Sequence, residues 1–205
     1  MKKLQLLVTS VLICCIFFCG CGEKQDTSNT FEEMDGRKVF SKTYKEFFAD
    51  YNNSMQEESQ KISEVDWEEA DSPEFPWDIL SYDYSSAEDP NQTISYLILQ
   101  AHTDSKNVAS VSHSLFPGQA DKTTAQQWTD RSKTFILSLD QDMDDKEIDT
   151  LFKELGVFQV LESDGWTEEF ENKVERNGIL YQITFQMEGF EYSNGLLSLF
   201  FQPQQ

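Results

Sequence analysis

Aspartates at alternate positions form the first group of residues that could do chemistry in this chain. Asp140, Asp142 and Asp144 have the spacing of the first three ligands of an EF-hand-like calcium loop, in which carboxylates converge on one hard cation. The rest of that motif is missing, because Asp145 occupies the glycine position and Leu151 replaces the bidentate acid. The alternative is an acidic loop that offsets the dipole of a following helix. The sequence leaves both interpretations open.

The chain has two histidines, His102 and His113. In the hairpin predicted below, His102 faces Ala109 and His113 faces Ile98, which places both rings on one face of the sheet. They would stand four residues apart along it, about 13 Å at the rise of a strand, too far to share one zinc ion. We therefore expect two separate hydrogen-bonded or surface histidines.

Paired acids such as Glu57-Glu58 and Glu168-Glu169 offer carboxylates of the kind that glycosidases use. Glu168 and Glu169 fall in a predicted strand, where neighbouring side chains point to opposite faces and cannot flank one bond. The G-x-S-x-G, H-E-x-x-H, P-loop and G-x-G-x-x-G motifs do not occur. The sequence assigns no catalytic residue, although a hydrolase that uses scattered carboxylates stays open.

Cys21 is placed for covalent acylation. It follows the small residue Gly20, and before these lie a positively charged start and an apolar stretch from Leu6 to Cys19. This is the layout of a secretion signal, and the stretch is shorter than the roughly 20 residues that a transmembrane helix needs. Residues 1–20 resemble the signal peptides of bacterial lipoproteins, in which a peptidase cleaves before an acylated cysteine.

The resemblance implies a lipid anchor at Cys21. Cys14, Cys15 and Cys19 lack a small preceding residue, so only Cys21 fits the cleavage rule. The chain departs from the family pattern, which favours Leu three residues and Ser, Ala or Val two residues before the cysteine, because Phe18 and Cys19 stand there. An acyl anchor would hold the mature protein on the extracytoplasmic face of the cell membrane. An ordinary secretory signal is the alternative.

Cleavage before Cys21 would leave 185 of the 205 residues, with no other cysteine. Disulfides, cysteine nucleophiles and thiolate metal sites would then be excluded. An exported domain without disulfides suits a Gram-positive bacterium, because such cells lack an oxidising periplasm.

Charge restricts the partners. The formal net charge is −21, and it becomes −23 in the mature chain, because loss of Lys2 and Lys3 reduces the 16 basic side chains to 14 against 37 acidic ones. Such a field repels nucleic acid and anionic lipid headgroups. A basic protein, a neutral envelope glycan or a divalent cation remains compatible, and solubility alone also explains the charge.

Three domain segments follow from composition: a signal peptide over 1–20, a flexible polar tether over 21–36 and one globular domain over 37–205. Apolar residues at three- and four-residue intervals, with a capping box at Thr43, predict a helix over 43–58. A second capping box at Asp144, with a glycine just past Leu155, predicts another helix.

Strands are expected over 77–84, 91–102, 107–116 and 133–139, because these runs are rich in β-branched, aromatic and aliphatic residues. The turn-forming residues 104–106 join the second and third runs into a hairpin. Trp128 lies outside these runs in a polar stretch, and it is the first candidate for an exposed aromatic contact.

The C-terminal region predicts a three-stranded antiparallel meander. A two-residue turn at Asn177-Gly178 pairs Val174 with Tyr181 and brings one apolar face together in both arms. A second turn at Asn194-Gly195 pairs Tyr192 with Leu197 and Phe190 with Leu199, and a bulge at Gly189 absorbs the change of register. The fold class expected is α+β, an antiparallel sheet packed against two or three helices.

The anchor, the tether and the missing motifs favour a membrane-anchored lipoprotein whose domain binds a protein or glycan without catalysis. The alternatives are a cell-envelope hydrolase that uses carboxylates, and a calcium-responsive module at Asp140, Asp142 and Asp144. No other cofactor is expected.

Overall fold

The computed structural model of the chain describes residues 30–70, 76–85, 92–162, 168–187 and 195–205. The predicted signal peptide, Cys21 and most of the predicted tether lie outside these residues. The strand Phe31–Met34 lies within the segment that the sequence assigns to the tether, so this part of the tether prediction is wrong.

A seven-stranded antiparallel sheet forms the centre of the fold, with the strand order β3-β4-β5-β6-β9-β8-β7, and a separate two-stranded sheet pairs β1 with β2. The α+β prediction is confirmed. The strands are β1 Phe31–Met34, β2 Arg37–Phe40, β3 Asp66–Glu68, β4 Trp77–Ser85, β5 Thr93–His102, β6 Val108–Leu115, β7 Phe170–Arg176, β8 Ile179–Gln186 and β9 Leu196–Pro203.

Four helices are present in the described part of the chain. They are α1 Tyr44–Ser54, α2 Lys122–Leu139, α3 Asp145–Leu155 and α4 Val157–Glu162. Both predicted capping boxes form, at Thr43 with Glu46 and at Asp144 with Glu147. Helix α3 ends at Gly156, whose φ of 82° is the left-handed conformation that glycine adopts without strain.

Residues 133–139 belong to α2, so the strand predicted there is wrong. Apolar side chains recur at helical spacing along one face, from Trp128 through Phe135 to Leu139. Three polar residues interrupt the apolar pattern of this helix, but their hydroxyl groups are satisfied within it. Thr129, Thr134 and Ser138 each donate a hydrogen bond to the backbone carbonyl four residues earlier. The predicted strand covered only residues 133–139, a stretch too short to show the helical repeat that runs over Lys122–Leu139.

The first turn of the meander has the predicted register. Val174 pairs with Tyr181, and Asn177 and Gly178 both have positive φ, as a type I′ turn requires. The second pairing differs from the prediction, because Leu197 pairs with Phe185 and Leu199 with Ile183. The predicted bulge at Gly189 and the partners Phe190 and Tyr192 lie outside the described residues.

The hairpin of β5 and β6 is shifted from the predicted register by one residue. His113 pairs with Leu97 rather than Ile98, and an irregularity between Gln100 and Ala101 leaves Ala109 as an extra residue of β6. His102 and His113 therefore point to opposite faces of the sheet. The prediction that the two rings share a face is wrong.

The helices pack on one face of the sheet, which we call the inner face. Side chains of β4, β5, β6, β8 and β9 alternate into this core, and α2 lies across it with Trp128, Phe135 and Ile136 fully buried. Trp128 is 0% exposed, so it cannot be the exposed aromatic contact that its polar neighbours suggested.

The opposite, outer face carries the β1–β2 hairpin at one end. Arg37 donates from Nη1 to Gln100 Oε1 at 3.1 Å and from Nη2 to Gln202 Oε1 at 2.9 Å, and its guanidinium carbon lies 5.0 Å from the centre of the Trp77 ring. Val39 and Ala109 complete a small apolar cluster with Trp77. The hairpin therefore covers only that end of the outer face.

Candidate functional site

The three aspartates of the predicted calcium loop make different hydrogen bonds. Asp140 is fully buried, and its Oδ2 accepts a hydrogen bond of 2.6 Å from the hydroxyl of Tyr181, while Asn177 Nδ2 lies 3.3 Å from both carboxylate oxygens. Asp144 is the N-cap of α3, and Asp142 donates its backbone N–H to Asp140 Oδ1 at 3.2 Å. Burial and the adjacent Asp140 carboxylate raise the pKa of Tyr181.

Asp140 thus ties the end of α2 to the C-terminal meander. Within the described residues, no group of three or more histidine, cysteine, aspartate or glutamate side chains is arranged to hold a metal ion. The calcium site at Asp140, Asp142 and Asp144 stays a prediction.

A cluster of buried polar side chains lies where α2 crosses the inner face. His113 of β6 stacks on Trp128 with 5.4 Å between ring centres and 21° between planes. Its Nδ1 lies 2.7 Å from the hydroxyl of Ser132, one turn further along α2. The spacing of Trp128, Arg131 and Ser132 puts all three on the side of α2 that faces the sheet.

Arg131 of α2 also belongs to this cluster and lies against the ring of Tyr84 of β4. It is 7% exposed, and its guanidinium carbon lies 3.9 Å from the centre of the Tyr84 ring, a close cation–π contact. The hydroxyl of Tyr84 is 3.4 Å from that of Tyr51, which donates to the carbonyl of Gln60 at 2.9 Å. We call His113, Trp128, Arg131, Tyr84 and Tyr51 the Arg131 cluster.

Several polar atoms of the Arg131 cluster are buried without a hydrogen-bond partner in the described part of the chain. They are His113 Nε2, Trp128 Nε1, and Arg131 Nε and Nη1. Buried polar atoms in folded proteins nearly always have partners, so a concentration of exceptions marks a region with unused binding capacity.

Burial sets the charge states of the cluster. Burial lowers the pKa of His113 well below its ordinary value, and the nearby positive charge of Arg131 lowers it further. Burial also raises the pKa of Tyr84, with a contribution from Tyr51. His113 and both tyrosines are therefore neutral near pH 7, and the guanidinium of Arg131 is the charged group.

A pocket of about 290 Å³ opens beside Arg131, between the C-terminal end of α1 and the middle of α2. Its walls include Met55, Glu57, Gln60, Gln127 and Asp130 as well as Arg131. Arg131 belongs to no sequence motif, so the sequence alone does not predict this site. Its one local signal is the three-residue spacing between Trp128 and Arg131, which puts both on one face of a helix only if residues 122–139 are helical.

A second polar group forms at the turn between β5 and β6. His102 Nε2 lies 2.7 Å from Asp35 Oδ2, and His102 Nδ1 lies 3.1 Å from the hydroxyl of Ser105. The backbone N–H of Ser105 also donates to Nδ1 at 3.2 Å, which makes Nδ1 an acceptor and assigns the ring proton to Nε2. Carboxylate, imidazole and hydroxyl thus stand in one hydrogen-bonded line.

The outer face of the sheet is the third candidate. Strand registers align two rows that run across the sheet beyond the β1–β2 hairpin. We call these two rows the open face: Ser81, Ile98, Ser112, Phe200, Gln182 and Lys173 in one, and Asp83, Tyr96, Ser114, Ser198, Thr184 and Glu171 in the other. None of the twelve side chains in these rows belongs to the core cluster on which the helices of the described residues pack.

Comparison with protein-family models, curated proteins and solved structures found no match to this chain. None of the helices in the described ranges is both long enough and apolar enough to cross a membrane. Function must therefore be argued from the three sites themselves.

Loss of stability in mild acid is expected to depend on His113. The pKa of His113 is lowered in the folded state. Below about pH 6.5 this imidazole therefore binds a proton in the unfolded chain but not in the folded one. The free energy of unfolding is thus highest above that pH and falls as the pH decreases, by at most about 1.4 kcal/mol per pH unit from this group.

Urea unfolding of the wild type and of His113→Phe at pH 7.5 and pH 5.0 measures this contribution. The phenylalanine keeps a ring against Trp128 but cannot titrate. We expect the wild type to lose about 2 kcal/mol more than the variant between the two pH values. Equal losses in both proteins would show that His113 does not govern the acid response.

Proposed function

We propose that this protein is a membrane-anchored extracytoplasmic lipoprotein whose domain binds a basic protein partner, without catalysis, through the open face of the sheet. The observation that carries the proposal is the asymmetry of the sheet. Its inner face is buried under helices, whereas the open face pairs hydroxyl side chains with half-buried Tyr96, Ile98 and Phe200.

Side chains of the open face suit contact better than solvent. Tyr96, Ile98 and Phe200 give a flat apolar centre, and aromatic side chains carry much of the binding energy at protein interfaces. Ser112 and Ser198 separate them with small side chains that let a partner approach closely. A sheet face that only meets water carries polar side chains, whereas Tyr96, Ile98 and Phe200 are largely apolar.

Acidic side chains border this centre on both sides. Asp66 and Asp83 lie at the β3–β4 edge, and Glu171 and Glu175 lie on β7 at the other edge, with Lys173 paired to Glu171. Together with the net charge of −21, these borders favour a partner with basic residues around an apolar patch. They disfavour nucleic acid.

The lipid anchor rests on the signal-like residues 1–20 and on Cys21. A tethered domain with an acidic binding face would search the space close to the extracytoplasmic surface of the membrane, where the local concentration of a membrane or wall protein is high. We therefore expect the partner to be a protein of the cell envelope.

Substitution of Cys21 tests the anchor. Cys21→Ala is expected to release the protein from the membrane fraction or to block its processing, and the wild type should yield an N-terminal fragment with an acylated cysteine in mass spectrometry. Cys19→Ala is the matched control and should leave acylation unchanged. An unmodified N-terminus in the wild type would end the anchor proposal.

Photo-crosslinking in intact cells tests the open face. A photoreactive amino acid at Ile98 should trap one specific protein, while the same group at the exposed Lys146 of α3 should not. The trapped protein, once purified, should bind the full-length chain with an affinity that falls as salt is added.

Charge reversal separates the face from the overall charge. Asp83→Lys with Glu171→Lys should abolish binding of that protein, whereas Asp104→Lys with Asp145→Lys, which changes the net charge equally, should not. Equal effects of the two double variants, or adducts from both crosslinking positions, would contradict the proposal.

A hydrolase is the second candidate function, and the geometry at His102 is the observation that favours it. Asp35, His102 and Ser105 have the order and spacing of orienting acid, base and nucleophile. In acyl transfer, Ser105 Oγ would bond to an ester carbonyl carbon, and its proton would pass through His102 Nδ1 to the departing alcohol oxygen. Water would then cleave the acyl-serine.

A structural role for Ser105 is the alternative. Its Oγ accepts a hydrogen bond of 3.3 Å from the backbone N–H of Asn107, which favours that role.

A fluorophosphonate probe distinguishes these roles. A nucleophilic Ser105 should be labelled covalently, the label should be lost in Ser105→Ala and strongly reduced in His102→Gln, and Ser112→Ala should retain it. Unlabelled wild-type protein under conditions that label a known serine hydrolase would remove the hydrolase candidate.

A further inference from the structure

We propose that the pocket beside Arg131 binds a small zwitterion of the amino-acid type, with Arg131 recognising its carboxylate. This is a ligand site separate from the open face, because the pocket lies on the helical side of the sheet. The proposal rests on the pairing of a buried, incompletely bonded arginine with a pocket that it lines.

Arg131 has fewer partners than a buried guanidinium normally has, although the hydroxyl of Tyr51 lies within hydrogen-bonding reach of it. One flat side of the group faces the Tyr84 ring, and Nε and Nη1 have no acceptor in the described residues. No carboxylate in those same ranges forms an ion pair with it. A charge that stays ionised and is buried without a counter-ion is costly, so the position favours a bound anion.

Carboxylate is the anion that this arrangement suits. A guanidinium presents two planar forks, one made by Nε and Nη2 and the other by Nη1 and Nη2, and each matches the two oxygens of a carboxylate. Each fork of Arg131 keeps one atom without a partner, Nε in the first and Nη1 in the second. Nε and Nη1 are both buried, so the side chain must turn from Tyr84 towards the pocket to contact the ligand. Ligand binding should therefore change the environment of the Arg131 side chain itself.

The other pocket residues restrict the ligand further. Glu57 and Asp130 are exposed acids of the lining, and they disfavour a dianion and favour an ammonium group on the same ligand. The amides of Gln60 and Gln127 add hydrogen-bonding capacity. At about 290 Å³ the pocket lies at the lower end of the range for small-molecule sites, so the ligand has few heavy atoms.

Arginine side-chain NMR gives a direct test, because Arg37, Arg131 and Arg176 are the only arginines in the chain. The full-length chain, labelled with ¹⁵N-arginine in non-ionic detergent, is titrated with glycine, acetate and methylammonium. Glycine should shift the Arg131 Nε–H signal in a saturable way and leave the other two unmoved. Acetate should bind about fivefold more weakly, for want of the ammonium contact, and methylammonium should not move the signal.

Two variants keep the test decisive. Arg131→Met removes the guanidinium while keeping an apolar body of similar length, and it should abolish glycine binding as measured by calorimetry. Gln127→Trp fills the pocket while leaving Arg131 in place and should have the same effect, whereas Gln119→Trp, at an exposed position outside the pocket, should not. If Arg131→Met fails to fold, Gln127→Trp carries the comparison.

The proposal is overturned if glycine produces no saturable shift at millimolar concentration, if all three arginine signals move together, or if Gln127→Trp binds as the wild type does. None of these outcomes bears on the open face, since neither the pocket nor its variants touch it.

Discussion

The packing of α2 across the inner face of the sheet is the contact on which the rest of the structure depends. Trp128 and Phe135 are fully buried there, and each large apolar side chain contributes roughly 2 to 3 kcal/mol. Phe135 also stacks on Tyr51 of α1 at 4.5 Å between ring centres, so one helix joins the sheet to the second helical layer. The same crossing places His113 and Arg131 in the interior, where some of their polar atoms have no hydrogen-bond partner in the described residues.

A single extra residue in β6 decides which side of the sheet each histidine serves. Because side chains alternate along a strand, the irregularity at Gln100 and Ala101 reverses the face of every residue on one side of it relative to a regular hairpin. His102 then meets Asp35 on the outer side, while His113 meets Trp128 in the core. Two chemically identical residues in one hairpin thus acquire unrelated environments.

Local signals explain which parts of the fold the sequence predicted well. The capping boxes at Thr43 and Asp144 and the turn at Asn177-Gly178 are short patterns whose chemistry acts within a few residues, and all three formed as expected. The bulge in β6 and the inward side of α2 depend on contacts between distant segments, so no local pattern could reveal them. Trp128 shows the limit most clearly, because its neighbours in sequence are polar, whereas its own ring is fully buried and stacked on His113 of the distant strand β6. The Arg131 pocket escaped prediction for the same reason.

The two faces of the sheet meet different physical demands, and this difference separates the two proposed binding sites. The inner face is filled by the helices of the same chain, and the site proposed at Arg131 lies between two of these helices. On the outer side, β6 carries Ser110, Ser112 and Ser114, three small hydroxyl side chains that alternate with the inward-facing Val111, His113 and Leu115. Ser110 and Ser114 are buried and Ser112 is half-buried, so these small hydroxyls give the outer side of β6 a low profile between the larger side chains of the neighbouring strands. A small ligand on one side and a macromolecule on the other can then bind without competing for the same atoms.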